Sequence, residues 1–218
     1  MERLERIGPY TLRQDDALPM VGTDSVLLAR FATLRRGTRV LDLGCGVGVL
    51  ALLLAAREPG LTLDGIDIDP AAAALARRNL AENDLAGDIL TADLREPGWF
   101  PLGHYDLIVS NPPYFPLGTG ELATRRSAAA RSEVCCTLAD LCRAAAPRLK
   151  TGGRFALVCR VERLTDLLLA LRANDLEPKR LQLVQHRLES PPKLALVEAV
   201  RQGRPGLQAE PVVLLMCN

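Results

Sequence analysis

Five consecutive residues, Ser110-Asn111-Pro112-Pro113-Tyr114, hold the groups needed to activate an amide-like nitrogen. Such a nitrogen, in an adenine amine or a glutamine amide, is a poor nucleophile because its lone pair is delocalised. Two hydrogen-bond acceptors, one for each amine proton, can draw it toward tetrahedral geometry. The Asn111 side-chain oxygen and the Pro112 carbonyl are such a pair, and consecutive prolines fix the backbone that carries them. Tyr114 adds a flat face for a planar substrate, a contact of about 1–3 kcal/mol when the substrate is a base. Asn111, Pro112, Pro113 and Tyr114 are therefore the candidate reacting end. Neither a metal nor a nucleophilic side chain is required. Taken alone, the same residues also suit a rigid surface turn.

A second group lies upstream. Asp42-Leu43-Gly44-Cys45-Gly46-Val47-Gly48 places a tight turn between an apolar run and a helical pattern. Glycines at such a turn let a ligand lie against the backbone. Val49 stands where the dinucleotide fingerprint has its third glycine, and no Gly-Lys-Ser/Thr follows. Asp42 would repel a pyrophosphate and attract a cation such as the amino-acid end of S-adenosylmethionine, which carries an ammonium, a sulfonium and no phosphate. Asp67, about 20 residues beyond the glycines, is placed to take ribose hydroxyls. Asp69, before Pro70, suits a helix cap, and Asp93 suits the adenine amine. The candidate cofactor residues are thus Asp42, Gly44, Cys45, Gly46, Gly48, Asp67, Ile68, Asp93 and Leu94, joined by Asn111. A turn used only for packing, and an ordinary loop acid at position 93, are the plainer readings.

These sites need a sheet to hold them. Short apolar runs at 39–43, 61–67, 88–92, 105–110 and 154–159 alternate with helical patterns at 49–57, 70–83, 137–150 and 161–174, which predicts a parallel α/β sheet. Thr137 and Asp140 form a capping-box pattern, with Gly152 and Gly153 as the end of that helix. The last runs, 179–187 and 193–201, alternate as an antiparallel pair. A small strand is expected at 10–13 and a helix at 25–32. Residues 1–36 read as an extension folding over the active-site edge, and 37–218 as the main body of one globular domain.

Composition narrows the class. The chain has 218 residues, 48% of them hydrophobic, enough for one medium domain. A formal net charge of +1 argues against binding by bulk electrostatics. Aromatic residues make up 4%, too few for a stacking sheet of the kind that reads single-stranded RNA. The six cysteines form no C-x-x-C pair, so no zinc spacing is present and reduced thiols are expected. The first ten residues lack a signal-peptide core, and no apolar run reaches the roughly 20 residues needed to span a bilayer. A cytoplasmic protein without membrane attachment is expected. Arg125, Arg126 and Arg131 cluster beside the reacting end as candidate RNA phosphate contacts, or as a solvated loop; Arg35, Arg36, Lys179 and Arg180 are further candidates for that surface.

The order of glycine turn, strand-end acids and Asn-Pro-Pro-Tyr resembles the class I S-adenosylmethionine-dependent methyltransferase family. The resemblance implies a Rossmann-like seven-stranded sheet with an antiparallel C-terminal hairpin. Within that family, Val21-Gly22-Thr23-Asp24-Ser25-Val26-Leu27-Leu28, Ala130-Arg131-Ser132-Glu133 and Glu177-Pro178-Lys179-Arg180-Leu181 are similar to signatures of the bacterial tRNA adenine-N6 methyltransferase group, whose known member acts on a valine tRNA. Ser132 departs from it, standing where many relatives have His. The resemblance implies an RNA substrate, tRNA in particular, with Thr23 and Asp24 lining the methionine end of the cofactor. No metal and no obligate protein partner are implied. A protein-glutamine or small-molecule N-methyltransferase, and a non-catalytic partner of the same fold, are the alternatives.

Overall fold

The computed structural model describes residues 2–18, 22–112 and 136–215. Pro113, Tyr114, Arg125, Arg126, Arg131 and Ser132 fall outside these residues. Two strands, β1 (Glu2–Ile7) and β2 (Tyr10–Asp15), precede helix α1 (Thr23–Phe31). Strand and helix then alternate through β3 (Arg39–Leu43), α2 (Val49–Arg57), β4 (Thr62–Asp67), α3 (Pro70–Glu82) and β5 (Ile89–Thr91). Next come β6 (Tyr105–Ser110), α4 (Leu138–Ala145), β7 (Leu149–Arg160), α5 (Leu164–Arg172), β8 (Leu176–Gln185) and β9 (Leu194–Arg201). Two short strands, β10 (Gln208–Ala209) and β11 (Val213–Leu214), finish the chain.

The main sheet runs β10-β8-β9-β7-β6-β3-β4-β5, with β11 also on β8. Strands β3 to β7 are parallel, whereas β9 lies antiparallel between β7 and β8. The chain moves from β3 outward through β4 to β5, then returns to the other side of β3 as β6. The winding direction reverses between β3 and β6, and in an open α/β sheet ligands bind beyond the carboxyl ends of the strands at such a point. Both candidate sites begin there, one after Leu43 and the other after Ser110.

Period-two alternation divides the core between the two faces. Val40, Leu63, Leu107 and Val109 pack with α1, α2 and α3, while Leu41, Leu43, Tyr105, Ile108 and Phe155 pack with α4 and α5. Leu28, Leu52 and Leu54 are fully buried on the first face, each stabilising by about 1.5–3 kcal/mol. Among the described residues no helix is long and apolar enough to cross a membrane.

Two expectations are corrected. The helix expected over 137–150 stops at Ala145, although its capping box is present: Thr137 Oγ1 accepts from the Asp140 N–H at 3.2 Å, and Asp140 accepts from the Thr137 N–H at 2.9 Å. Pro147 lacks the N–H that would continue the helix. Gly152 and Gly153 do not terminate it; they lie inside β7, where the pairing with β6 shifts register between Tyr105 and Leu107. The strand expected at 10–13 extends to Asp15 and pairs with the unanticipated β1, Ile7 facing Tyr10 across Gly8-Pro9.

Candidate active site

The glycine turn leaves β3 with its backbone already engaged: the N–H groups of Gly44 and Cys45 both donate to Ile66 O on β4, at 2.9 and 3.0 Å. Gly44 and Gly46 take positive φ, +77° and +52°, and a Cβ on either would meet no atom within 4 Å. The turn therefore presents bare backbone to open space. Cys45 points the other way. Its thiol lies against Gly65, where a Cβ would come within 3.0 Å of the sulfur, and burial holds that thiol far above its usual range. Only its backbone can face a ligand. Gly48 is the N-cap of α2.

Asp67, at the end of β4, closes this turn. Its Oδ2 accepts from the Gly46 N–H at 2.7 Å and its Oδ1 from the Asp69 N–H at 2.9 Å. Burial raises its pKa, against the lowering effect of these bonds. A carboxylate has about four acceptor positions, so further donors can be taken. Asp69 caps α3 by accepting from the Ala71 N–H at 2.9 Å. Beside Asp67, Ile68 is 44% exposed, an apolar surface where a flat ring can rest.

Asp42 is the most unusual group in the site. It is 3% exposed, and neither carboxylate oxygen has a hydrogen-bond partner among the described residues. Burial, with the charge of Asp67 adding to it, pushes its pKa up to about 8. An unpaired buried carboxylate is costly and takes up a proton instead; a cation placed beside it restores the charged form. The residues present thus fit a ligand with a cationic amino-acid end. Nothing else in the turn supplies that charge.

Beyond β5 the structure is less open. Asp93 is held by Arg95, whose Nε lies 2.9 and 3.0 Å from the two carboxylate oxygens, and these bonds lower the Asp93 pKa. A contact with adenine there would compete with Arg95. Leu94 accepts the Trp99 indole N–H on its carbonyl at 3.1 Å and packs partly into the core.

Asn111 follows β6, beside the glycine turn. Ser110 Oγ donates to Leu43 O at 2.7 Å, which ties the two strand ends together. The Asn111 Nδ2 donates to Ser25 Oγ at 2.9 Å, and Ser25, 4% exposed, sits in the first turn of α1. Sequence reasoning passed over Ser25, since nothing in its type or spacing signals a contact across the fold. Thr23 and Asp24 occupy the same turn. The N-cap of α1 is Gly22, with no side-chain capping bond, so neither Thr23 nor Asp24 acts as the N-cap. Burial raises the Asp24 pKa, against the charges of Arg160 and His186.

Arg180 does not extend this site. It is bonded to Glu210 at 2.7 Å, Glu198 at 3.3 Å and Phe31 O at 3.0 Å. Arg35 and Arg36 precede β3, at the amino ends of the parallel strands and away from Asn111. Among the described residues Cys45, Cys142 and Cys159 are free thiols, and no group of His, Cys, Asp and Glu is arranged to hold a metal.

In sequence and fold the chain is similar to known proteins. The chain is 37% identical over 191 residues to the tRNA1(Val) (adenine(37)-N6)-methyltransferase of Parabacteroides distasonis, covering 87% of this chain and 80% of that one. It is 39% identical over 161 residues to the protein of that name from Dickeya chrysanthemi, covering 70% and 63%. Among solved structures, one described as a predicted O-methyltransferase from Agrobacterium tumefaciens superposes with a TM-score of 0.72 at 22% identity, over 88% of this chain and 87% of that one. TrmN from Thermus thermophilus gives 0.59 at 27% identity, over 80% and 48%. The family model for the methyltransferase small domain matches residues 21–171. With that match over more than half of its length, and with the 37% identical relative covered over most of both chains, the chain belongs to the methyltransferase small-domain family.

Proposed function

We propose that this protein is an S-adenosylmethionine-dependent N-methyltransferase acting on N6 of an adenine in tRNA, in the cytoplasm. One observation carries the reading: where the winding reverses between β3 and β6, an asparagine braced by Ser25 and a buried acid with no hydrogen-bond partner among the described residues stand near adjacent strand ends. The names of the 37% and 39% identical relatives support the choice of adenine and tRNA.

When bound, the donor supplies a methyl group on a sulfonium. Asp42 and the Gly44–Gly46 backbone would hold its amino-acid end with Thr23 and Asp24, Asp67 its ribose, and Ile68 its adenine. The chain's own task lies on the acceptor side. Asn111 and the Pro112 carbonyl each take a hydrogen bond from the target amine, which turns its lone pair toward the donor. Tyr114 stacks on the base, and Arg125, Arg126 and Arg131 contact the RNA phosphates. Once the nitrogen is alkylated, its surplus proton passes to solvent.

The test is to incubate the protein with labelled donor and either unmodified tRNA transcripts or total protein, then analyse nucleosides by mass spectrometry. N6-methyladenosine in the tRNA digest is expected. Label found only in polypeptide would overturn the proposal in favour of a glutamine amide.

A further inference from the structure

The glycine turn is gripped on its carbonyl side by a residue remote from it in sequence. Asn79, toward the C-terminal end of α3, has no exposed surface. Its Nδ2 donates to Val47 O at 2.8 Å, inside the turn, and to Arg13 O on β2 at 3.0 Å. Its Oδ1 accepts from the Arg13 N–H at 2.9 Å. Both amide protons and the carbonyl are thereby engaged, so the orientation of the group is fixed by its partners. One turn along the same face, Asn83 exchanges bonds with the Thr11 backbone, accepting from the N–H and donating to the carbonyl, both at 2.8 Å.

The two asparagines thus read β2 as a neighbouring strand would. Only Asn79 also reaches the turn. From the other side, Asp67 takes the Gly46 N–H, so the residues on either side of the Gly46–Val47 peptide bond are held between β4 and α3. Glycines free to rotate would lose the cradle unless something fixed them. Val47 itself is 5% exposed and packs in the core with residues of α2 and α3.

We infer that Asn79 is a positioning residue for the donor site, and that through it the N-terminal hairpin contributes to donor affinity without touching the donor. The inference rests on the glycine turn being the donor site. Its signature is a difference between a buried amide and a half-buried one: losing Asn83 loosens the hairpin, whereas losing Asn79 loosens the hairpin and the turn.

The experiment measures the Kd of S-adenosylhomocysteine by calorimetry for the full-length wild type, Asn79→Ala and Asn83→Ala, at a temperature where all are folded. Asn79→Ala is expected to weaken binding about tenfold or more, and Asn83→Ala less than about threefold. Should Asn79→Ala fail to fold, Asn79→Asp serves in its place: it keeps the acceptor for Arg13 N–H and faces the Val47 carbonyl with an oxygen. Equal affinities for wild type and the Asn79 variant, or equal losses in both asparagine variants, would overturn the inference while leaving the proposed activity standing. A wild type that does not bind S-adenosylhomocysteine would overturn the donor site itself.

Discussion

Two carboxylates lie inside the same sheet and are treated in opposite ways. Glu198, on β9, is fully buried and fully partnered: Arg154 reaches it at 2.7 Å, Arg180 at 3.3 Å, and Thr33 donates its N–H and its hydroxyl, each at 2.8 Å. Asp42, on β3, is equally enclosed and has no hydrogen-bond partner among the described residues. Glu198 fastens the segment after α1 to the outer strands, and its charge is complete within the chain. Asp42 lies at the reversal of the sheet, where the described residues give it no hydrogen-bond partner. Complete neutralisation marks the region that maintains the fold; an uncompensated acid marks the one that accepts a ligand.

The largest effect should come from the complete cluster. Glu198→Ala strands two guanidiniums, partly relieved by solvent because each keeps some exposure, and should cost about 3 kcal/mol of stability. Urea unfolding measures this, and the folded variant should bind S-adenosylhomocysteine as the wild type does. Asp42→Asn should do the reverse. Loss of a charged hydrogen-bond acceptor weakens donor binding by about 2 kcal/mol, roughly thirtyfold, with no loss of stability. If Asp42→Asn unfolds the protein, or Glu198→Ala abolishes binding while folded, the contrast is wrong.

Protonation sharpens the same contrast. The Asp42 pKa is raised from 3.8 to about 8 in the folded chain, so the native state binds more protons than the unfolded state between these values. Stability of the ligand-free protein therefore includes a contribution, present at low pH, that falls as pH rises from about 4 to about 8, by up to about 1.4 kcal/mol per unit. Asp42→Asn should remove that component from the pH profile. Binding of S-adenosylhomocysteine at pH 7 should also release up to about one proton, which calorimetry in buffers of different ionisation enthalpy detects. No proton release would mean that the ammonium does not meet Asp42.

How much of this was legible in the sequence depends on whether the cause was local. β6 stands where its Leu-Ile-Val run predicts, because a short apolar run entering a buried parallel strand has few other fates. The glycine turn and Asp42 were legible because residue type alone, small or charged, carried the argument. β1 was not: Glu-Arg-Leu-Glu-Arg-Ile lacks a buried face, and its order comes from pairing with β2 and from ion pairs such as Glu2–Arg78. Nor was the engagement of Asp93 by Arg95, since the spacing is common to many loops. Helical periodicity runs on to 150, but Pro147 supplies no N–H to continue the helix, which stops at Ala145. Contacts such as Ser25–Asn111, 86 residues apart, exist only once the sheet has formed.

That last contact yields the smallest and most specific prediction. Ser25 Oγ accepts from Asn111 Nδ2, so removing the hydroxyl leaves the amide intact but takes away one of its braces. A single neutral hydrogen bond contributes about 1 kcal/mol. Ser25→Ala should therefore lower kcat about fivefold, with KM for the donor and the affinity for S-adenosylhomocysteine unchanged, while Ser25→Thr restores part of the rate. Asn111→Ala, which removes the acceptor altogether, sets the floor, and Ser25→Ala in that background should have no further effect on rate. Additive losses would show that Ser25 acts on something other than Asn111, and the incomplete end of the sheet would then need a different account from the one its geometry gives.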